Sequence, residues 1–123
     1  MTTEQLETLR RAVWTFGPAQ QEIKTVEELA ELQQAMCKAV GLSNDQWAGT
    51  DDFADALDHV FEEIADVEIM LAQIRIIFQD ADKEIATWKD RKINRLKTRL
   101  PGGRSRHYAK DQKPGNNGNG EVE

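Results

Sequence analysis

Hydrophobic residues recur every three or four positions through the first hundred residues, with polar residues between them. This period places the apolar side chains on one face of an α-helix, and the sequence shows neither strand alternation nor an internal repeat. Glycine and proline interrupt the pattern at Gly17-Pro18, at Gly41 and at Pro101. We therefore predict an all-α fold with four helices. They cover about residues 3–14, 18–40 and 52–78, and a last stretch from 80 or 82 to 100.

The second and third helices are expected to supply most of the core. On the second helix one wide apolar arc is predicted to face inward, formed by Ile23, Val26, Leu29, Ala30, Leu32, Met36, Cys37 and Val40. The third helix is apolar on almost every side between Ile64 and Phe78, so one neighbouring layer cannot cover it. We expect it to be central and shared with another subunit. Trp14 and Trp88 are also expected in the core.

The composition fits one small soluble domain with a tail. The chain has 123 residues, of which 39% are hydrophobic, and this length supports a single core over residues 1–100. Residues 101–123 are rich in glycine and asparagine and are predicted to be disordered. The single cysteine excludes an intramolecular disulfide, and neither a signal peptide nor an uninterrupted apolar membrane span is seen. We expect a cytoplasmic protein.

Candidate chemistry comes from two carboxylate motifs on the two central helices. Glu27, Glu28 and Glu31 form an E-E-x-x-E cluster, and Glu63 and Asp66 form an E-x-x-D pair. Residues three apart on a helix lie about one turn from each other, so each motif presents two oxygen ligands side by side. Hard divalent cations such as Mg²⁺ or Mn²⁺ favour oxygen ligands.

The helical projection favours some of these carboxylates over others. Glu28 and Glu31 lie at the margin of the apolar arc, whereas Glu27 points further outward, and Glu63 and Asp66 flank the core of the third helix. Acidic runs on helices commonly form solvent-exposed faces, and either motif alone would be interpreted as such a face. Both motifs beside a core favour a cation, because clustered anions are costly to desolvate. A di-iron site is disfavoured, since neither motif contains the Glu-x-x-His pair of such sites.

The charge is unevenly distributed along the chain. The net charge is −6, yet residues 89–106 hold eight Lys/Arg and one acid. Lys92, Arg95 and Arg99 share one helix face and are candidates to bind a triphosphate, and Lys24, one turn before Glu28, is another. A solvated cationic helix end stays an open alternative for each. Nucleic-acid binding is disfavoured because the rest of the chain is strongly acidic and repels a long polyanion.

These motifs resemble a known family when they are taken in order. The cluster Glu27-Glu28-x-x-Glu31, then Glu63-x-x-Asp66 within EEIADVEIML, then KINRLKTRL over 92–100 is similar to the MazG-like branch of the all-α NTP pyrophosphohydrolase superfamily. The resemblance covers about residues 16–100. It implies a helical bundle that assembles as a dimer or a dimer of dimers. It also implies Mg²⁺-dependent cleavage of a nucleoside triphosphate to the monophosphate and pyrophosphate.

The resemblance also implies roles for individual residues. The metal ligands fall on Glu28, Glu31, Glu63 and Asp66. Glu27, or with less support Glu62, would orient or deprotonate the attacking water. We further propose Trp47 for a base pocket, with local packing as its alternative. A non-catalytic helical assembly module that kept the fold is the competing hypothesis, and base and sugar specificity are not readable from the sequence.

Overall fold

A computed structural model describes residues 1–43 and 49–102. The described residues form four α-helices and no strand: α1 (Thr3–Phe16), α2 (Pro18–Gly41), α3 (Asp51–Ile77) and α4 (Ala81–Arg99). The predicted all-α class and its four helices are confirmed, with helix ends within a few residues of the predicted ones. Trp47 and nearly all of the tail over 101–123 lie outside the described residues.

Local sequence signals fix where three of the helices begin. Thr2 caps α1 in a capping box: its Oγ1 accepts from the Gln5 N–H at 3.0 Å, and the Gln5 side chain accepts from the Thr2 N–H at 2.9 Å. Gly17 has a φ of 95°, which glycine adopts readily, and Pro18 follows at the first position of α2. Thr50 caps α3 by accepting a hydrogen bond from the Phe53 N–H.

The chain divides into two compact units, Met1–Ala81 and Asp82–Glu123. In the first unit α2 packs along α3, and α1 contacts both. Gln21 near the start of α2 is hydrogen-bonded to Gln73 near the end of α3. The two long helices therefore run antiparallel, as the short connection between them requires.

The seam between α2 and α3 follows the alternating four-and-three spacing of a coiled coil, except for the last step on α3 from Met70 to Gln73. Its buried residues on α2 are Gln21, Thr25, Glu28, Ala35 and Ala39, and those on α3 are Ala56, Val60, Glu63, Val67, Met70 and Gln73. Small side chains dominate one half: Ala35, Ala39, Ala56 and Val60 form the core cluster, with Leu32 and Leu42 packed against it. In the other half, polar side chains at Gln21, Thr25, Glu28, Glu63 and Gln73 share the seam with Val67 and Met70.

This seam corrects the predicted core. On α2 the large apolar residues Ile23, Val26, Leu29, Met36 and Val40 are exposed, and Cys37 is exposed as well. The hydrophobic pattern predicted that the widest arc of large side chains on α2 would be buried. The helices instead approach through alanines, because small residues allow closer backbone contact. Trp14 and Trp88 were also expected in the core and are exposed, Trp14 by 66%.

Part of the expectation for the second half of α3 is confirmed within the described residues, and its sharing with another subunit stays a prediction. Ile69 and Leu71 stay exposed although other faces of the same helix are buried, so a single packed layer does not cover it. None of the described helices is long and apolar enough to cross a membrane.

The second unit contributes α4, which has no buried residue. The ring of Trp88 lies 5.2 Å from the Arg91 guanidinium carbon and 5.8 Å from Lys92 Nζ, as in cation–π pairs. Seven basic residues and three acidic ones lie between residues 82 and 102, so this helix is positively charged.

Candidate metal centre

Glu28 occupies a position in the α2 seam that would ordinarily hold an apolar residue. It follows Gln21 and Thr25 at heptad spacing and is 8% exposed. Glu31 lies three residues further on, just outside the seam, and is exposed. One turn of helix therefore places one carboxylate inside the helix pair and a second at its edge.

Glu63 reaches the same place from α3. It takes the seam position between Val60 and Val67 and is 5% exposed. One carboxylate oxygen from each of Glu28, Glu31 and Glu63 can be chosen so that all three lie within 4.8 Å of one another. Three of the four predicted ligands thus come together between α2 and α3.

The surroundings of Glu63 oppose its ionisation. Its pKa is raised, first by burial and then by the negative charge of Glu31, with smaller contributions from Asp66 and Glu28. His59 acts in the opposite direction but does not cancel these effects. Glu63 Oε1 is buried and has no hydrogen-bond partner among the described residues. A buried acceptor without a donor is unfavourable unless a cation or another donor satisfies it.

Lys24 partly neutralises the other buried carboxylate. Its Nζ lies 3.3 Å from Glu28 Oε2 and 3.8 Å from Glu27 Oε1. The pKa of Lys24 is raised, chiefly by its hydrogen bond and charge interaction with Glu28. Lys24, predicted as a phosphate contact, therefore lies beside the carboxylates in the first unit.

His59 contacts two of these glutamates, although neither carboxylate motif includes it. Its Nδ1 lies 3.3 Å from Glu62 Oε1 and its Nε2 lies 3.7 Å from Glu63 Oε2. The spacing of three and four residues before the two glutamates was the available signal, because such residues share one helix face. His59 contacts the acidic cluster from the side of the α3 N-terminus.

The remaining predicted residues divide by location. Asp66 is half-buried on α3 and close enough to raise the pKa of Glu63, though it is not part of the converging group of three. Glu27 and Glu62, the candidates for water activation, are exposed. The basic residues Lys92, Arg95 and Arg99 are exposed on α4 in the second unit, and Trp47 lies outside the described residues.

The donor set of this cluster fits a hard divalent cation. It consists of carboxylate oxygens only, and one buried oxygen has no protein donor. The arrangement alone does not select Mg²⁺ over other hard cations. Comparisons with protein-family models, with curated proteins and with solved structures found no match to this chain.

Proposed function

We propose that this protein is a Mg²⁺-dependent nucleoside triphosphate pyrophosphohydrolase that cleaves between the α and β phosphates. The observation that carries the proposal is the convergence of Glu28, Glu31 and Glu63 around the unpaired, buried Glu63 Oε1. Four mutually repelling carboxylates at the margin of a small core are costly for folding, and a cation would offset this cost. The order of the two motifs supports the same proposal, through the resemblance to MazG-like enzymes.

Each carboxylate would have a distinct task. Glu28, Glu31 and Glu63 would hold the cation, with Asp66 as the fourth oxygen donor. When bound, Mg²⁺ would draw charge from the phosphate oxygens. Glu27 or Glu62, both exposed at the rim of the cluster, would accept the proton from the attacking water. The water oxygen bonds to the α phosphorus, the bond to the bridging oxygen breaks, and pyrophosphate leaves.

Basic side chains would bind the polyphosphate. Lys24 already lies against Glu27 and Glu28, so it is available to a phosphate oxygen brought to the cluster. Lys92, Arg95 and Arg99 on α4 are proposed to contact the triphosphate, and Trp47 to stack on the base.

Exposed apolar residues support self-assembly as part of the proposed function. On α2, Val26, Leu29, Met36 and Val40 share one face, and on α3 Phe61, Ile64 and Leu71 share another. A cleft of about 200 Å³ with an almost wholly apolar lining lies between Met36, Val40, Phe53 and Leu57. Soluble chains rarely leave such surfaces uncovered. We propose a homodimer or homotetramer in the cytoplasm, where nucleoside triphosphates are available.

The same apolar surface supports the competing function, a non-catalytic assembly module. In that case the acidic cluster and the basic helix would serve only to recognise a protein partner. The two functions differ in their dependence on the buried carboxylates, because an assembly surface does not require an intact cation site.

The deciding experiment is pyrophosphate release from a panel of ribo- and deoxyribonucleoside triphosphates, with Mg²⁺, with Mn²⁺ and with EDTA. Glu28→Gln and Glu63→Gln are the test variants, because each removes one charge at nearly constant volume. Glu68→Gln is the matched control, since Glu68 is exposed on α3 outside the converging group.

We expect metal-dependent release that both test variants reduce at least a hundredfold and the control leaves unchanged. Release that persists in EDTA, or in both test variants, would contradict the proposed site. Absence of release from every triphosphate, with the oligomer intact in all variants, would favour the assembly module.

A further inference from the structure

A second feature of the first unit is a cavity of about 470 Å³ between the end of α2 and the beginning of α3. Its volume lies within the range of small-molecule sites. The lining includes Ala35, Lys38 and Leu42 from α2, and Asp52, Asp55 and His59 from α3. None of these residues belongs to the converging carboxylates Glu28, Glu31 and Glu63.

The cavity adjoins the acidic cluster through His59. This side chain lines the cavity, and its Nε2 lies 3.7 Å from Glu63 Oε2. Ala35 lines the same cavity and lies one helical turn beyond Glu31 on α2. A ligand in the cavity would therefore have one end beside the carboxylates that are proposed to hold the cation.

The polar residues that line the cavity determine which chemical groups of a ligand it can hold. Asp52 and Asp55 give this lining two carboxylates against the one ammonium of Lys38, so they would disfavour phosphate groups and favour hydroxyl or amino donors. They do not form a second cation site, because among the described residues the only converging group of three ligands is Glu28, Glu31 and Glu63.

We propose that this cavity holds the nucleoside end of the substrate, with Asp52 and Asp55 accepting hydrogen bonds from its hydroxyl or amino groups. The inference rests on the proposed function, because it requires the triphosphate to extend from the cavity toward Glu63. The apolar wall formed by Ala35 and Leu42 contacts the flat or aliphatic parts of the nucleoside, and Lys38 in the same lining donates to a ring oxygen or carbonyl acceptor.

Donors on the base and donors on the sugar have the same chemistry, and matched nucleotides separate them. CTP carries an amino donor at C4 where UTP carries an oxygen and has its donor at N3, whereas CTP and dCTP differ at the 2′-hydroxyl. The kcat and KM for each are measured with Mg²⁺ for the wild type, Asp52→Asn and Asp55→Asn. Binding of the α,β-methylene analogues, in which the scissile oxygen is replaced by carbon, is measured by calorimetry.

Asp58→Asn is the matched control. Asp58 is exposed on the same helix, three residues after Asp55, and does not line the cavity. Asp52 and Asp55 are exposed as well, so all three substitutions leave the packed seam intact. Helical content and melting temperature verify this for each variant.

We expect Asp52→Asn or Asp55→Asn to raise KM and weaken analogue binding about tenfold for the nucleotide that carries the donor, with kcat little changed. The loss should be smaller for the matched nucleotide that lacks the donor, and Asp58→Asn should behave as the wild type. If both cavity variants match Asp58→Asn while hydrolysis still depends on Glu28, the cavity does not hold the nucleoside and the proposed function stands. If the wild type neither binds nor hydrolyses any nucleotide, the inference and the proposed function fail together.

Discussion

Gln21 Nε2 donates a 2.7 Å hydrogen bond to Gln73 Oε1 across the buried seam between α2 and α3. This pair defines the register of the carboxylates. Seven residues onward from Gln21 is Glu28, and seven residues back from Gln73 is Asp66. Glu31 lies ten residues after Gln21, and Glu63 lies ten residues before Gln73. Antiparallel packing in this register places both acidic motifs at the same level of the helix pair.

The amide pair should therefore matter for stability. Gln73→Ala leaves the buried Gln21 amide without its acceptor, and we expect it to lower the free energy of unfolding by about 1–3 kcal/mol. The double variant Gln21→Leu/Gln73→Leu removes both polar groups and should recover most of that loss. Urea denaturation of the single and double variants measures the difference. The loss in Gln73→Ala is attributed to a buried Gln21 amide that has no partner. A double variant that is less stable than Gln73→Ala would contradict this explanation.

The sequence predicted helix type and motif pairing well, but it did not predict which face of α2 is buried. Thr50, Pro18 and Gly41 are local signals that act through a few neighbouring residues, so the helix limits were readable. The seam depends on how closely two helices approach, which is a tertiary property. Ala35 and Ala39 score weakly in a hydrophobic pattern, yet they form the contact because they are small.

In the candidate site too, features local to one helix were predictable, whereas features that depend on the packing of two helices were not. Glu28, Glu31 and Glu63 were predicted from the three-residue spacing within each motif and from their place at the margin of the predicted core, both of which are local to one helix. His59 was assigned no role, and the cavity that it lines was not foreseen, because Lys38 and Asp55 are far apart in sequence and meet only through the antiparallel register.

Glu63 should make stability pH-dependent when no cation is bound. Its pKa in the folded protein is raised, chiefly by burial and by Glu31. The native state then holds the proton more tightly than the unfolded chain, so this residue stabilises the fold at low pH. The contribution is lost as the pH rises from about 4.3, the ordinary pKa of glutamate, through the raised value.

Glu63→Gln removes that titration. In EDTA we expect the variant to be more stable than the wild type at neutral pH, with the difference shrinking toward zero below about pH 4. Melting temperatures of both proteins between pH 4 and pH 8 provide the measurement, and Glu68→Gln serves as the control. If the difference in melting temperature between the two proteins does not change with pH, the ionised Glu63 carboxylate does not destabilise the fold.

Added cation should reverse the order of these two proteins. With Mn²⁺ or Mg²⁺ at a hundred times its dissociation constant, the wild type should gain about 2.7 kcal/mol of stability at neutral pH. Glu63→Gln should gain much less, because one of three converging oxygen donors has lost its charge. Thermal shifts with increasing cation concentration measure both proteins. Equal shifts in the wild type, Glu63→Gln and Glu28→Gln would place the cation elsewhere.

The exposed apolar face of α2 should control self-assembly. Val26, Met36 and Cys37 share this face, and Val26 is 66% exposed in the single chain. We expect light scattering to give a dimer or tetramer for the wild type and a smaller species for Val26→Lys, because a buried unpaired ammonium opposes association. Gln20→Lys adds the same charge at an exposed position of α2 away from that face, and it should leave the assembly unchanged.

Cys37 gives an independent measurement of the same interface. If the face is covered by a second copy, the thiol should react slowly with a disulfide reagent in the wild type and in Gln20→Lys. Val26→Lys should expose it and accelerate the reaction, because Cys37 is accessible in the single chain. Fast labelling of a wild-type oligomer would mean that the chains associate through another surface, such as the α3 face that carries Phe61 and Ile64. The parallel substitution Phe61→Lys then distinguishes that surface from the face of α2.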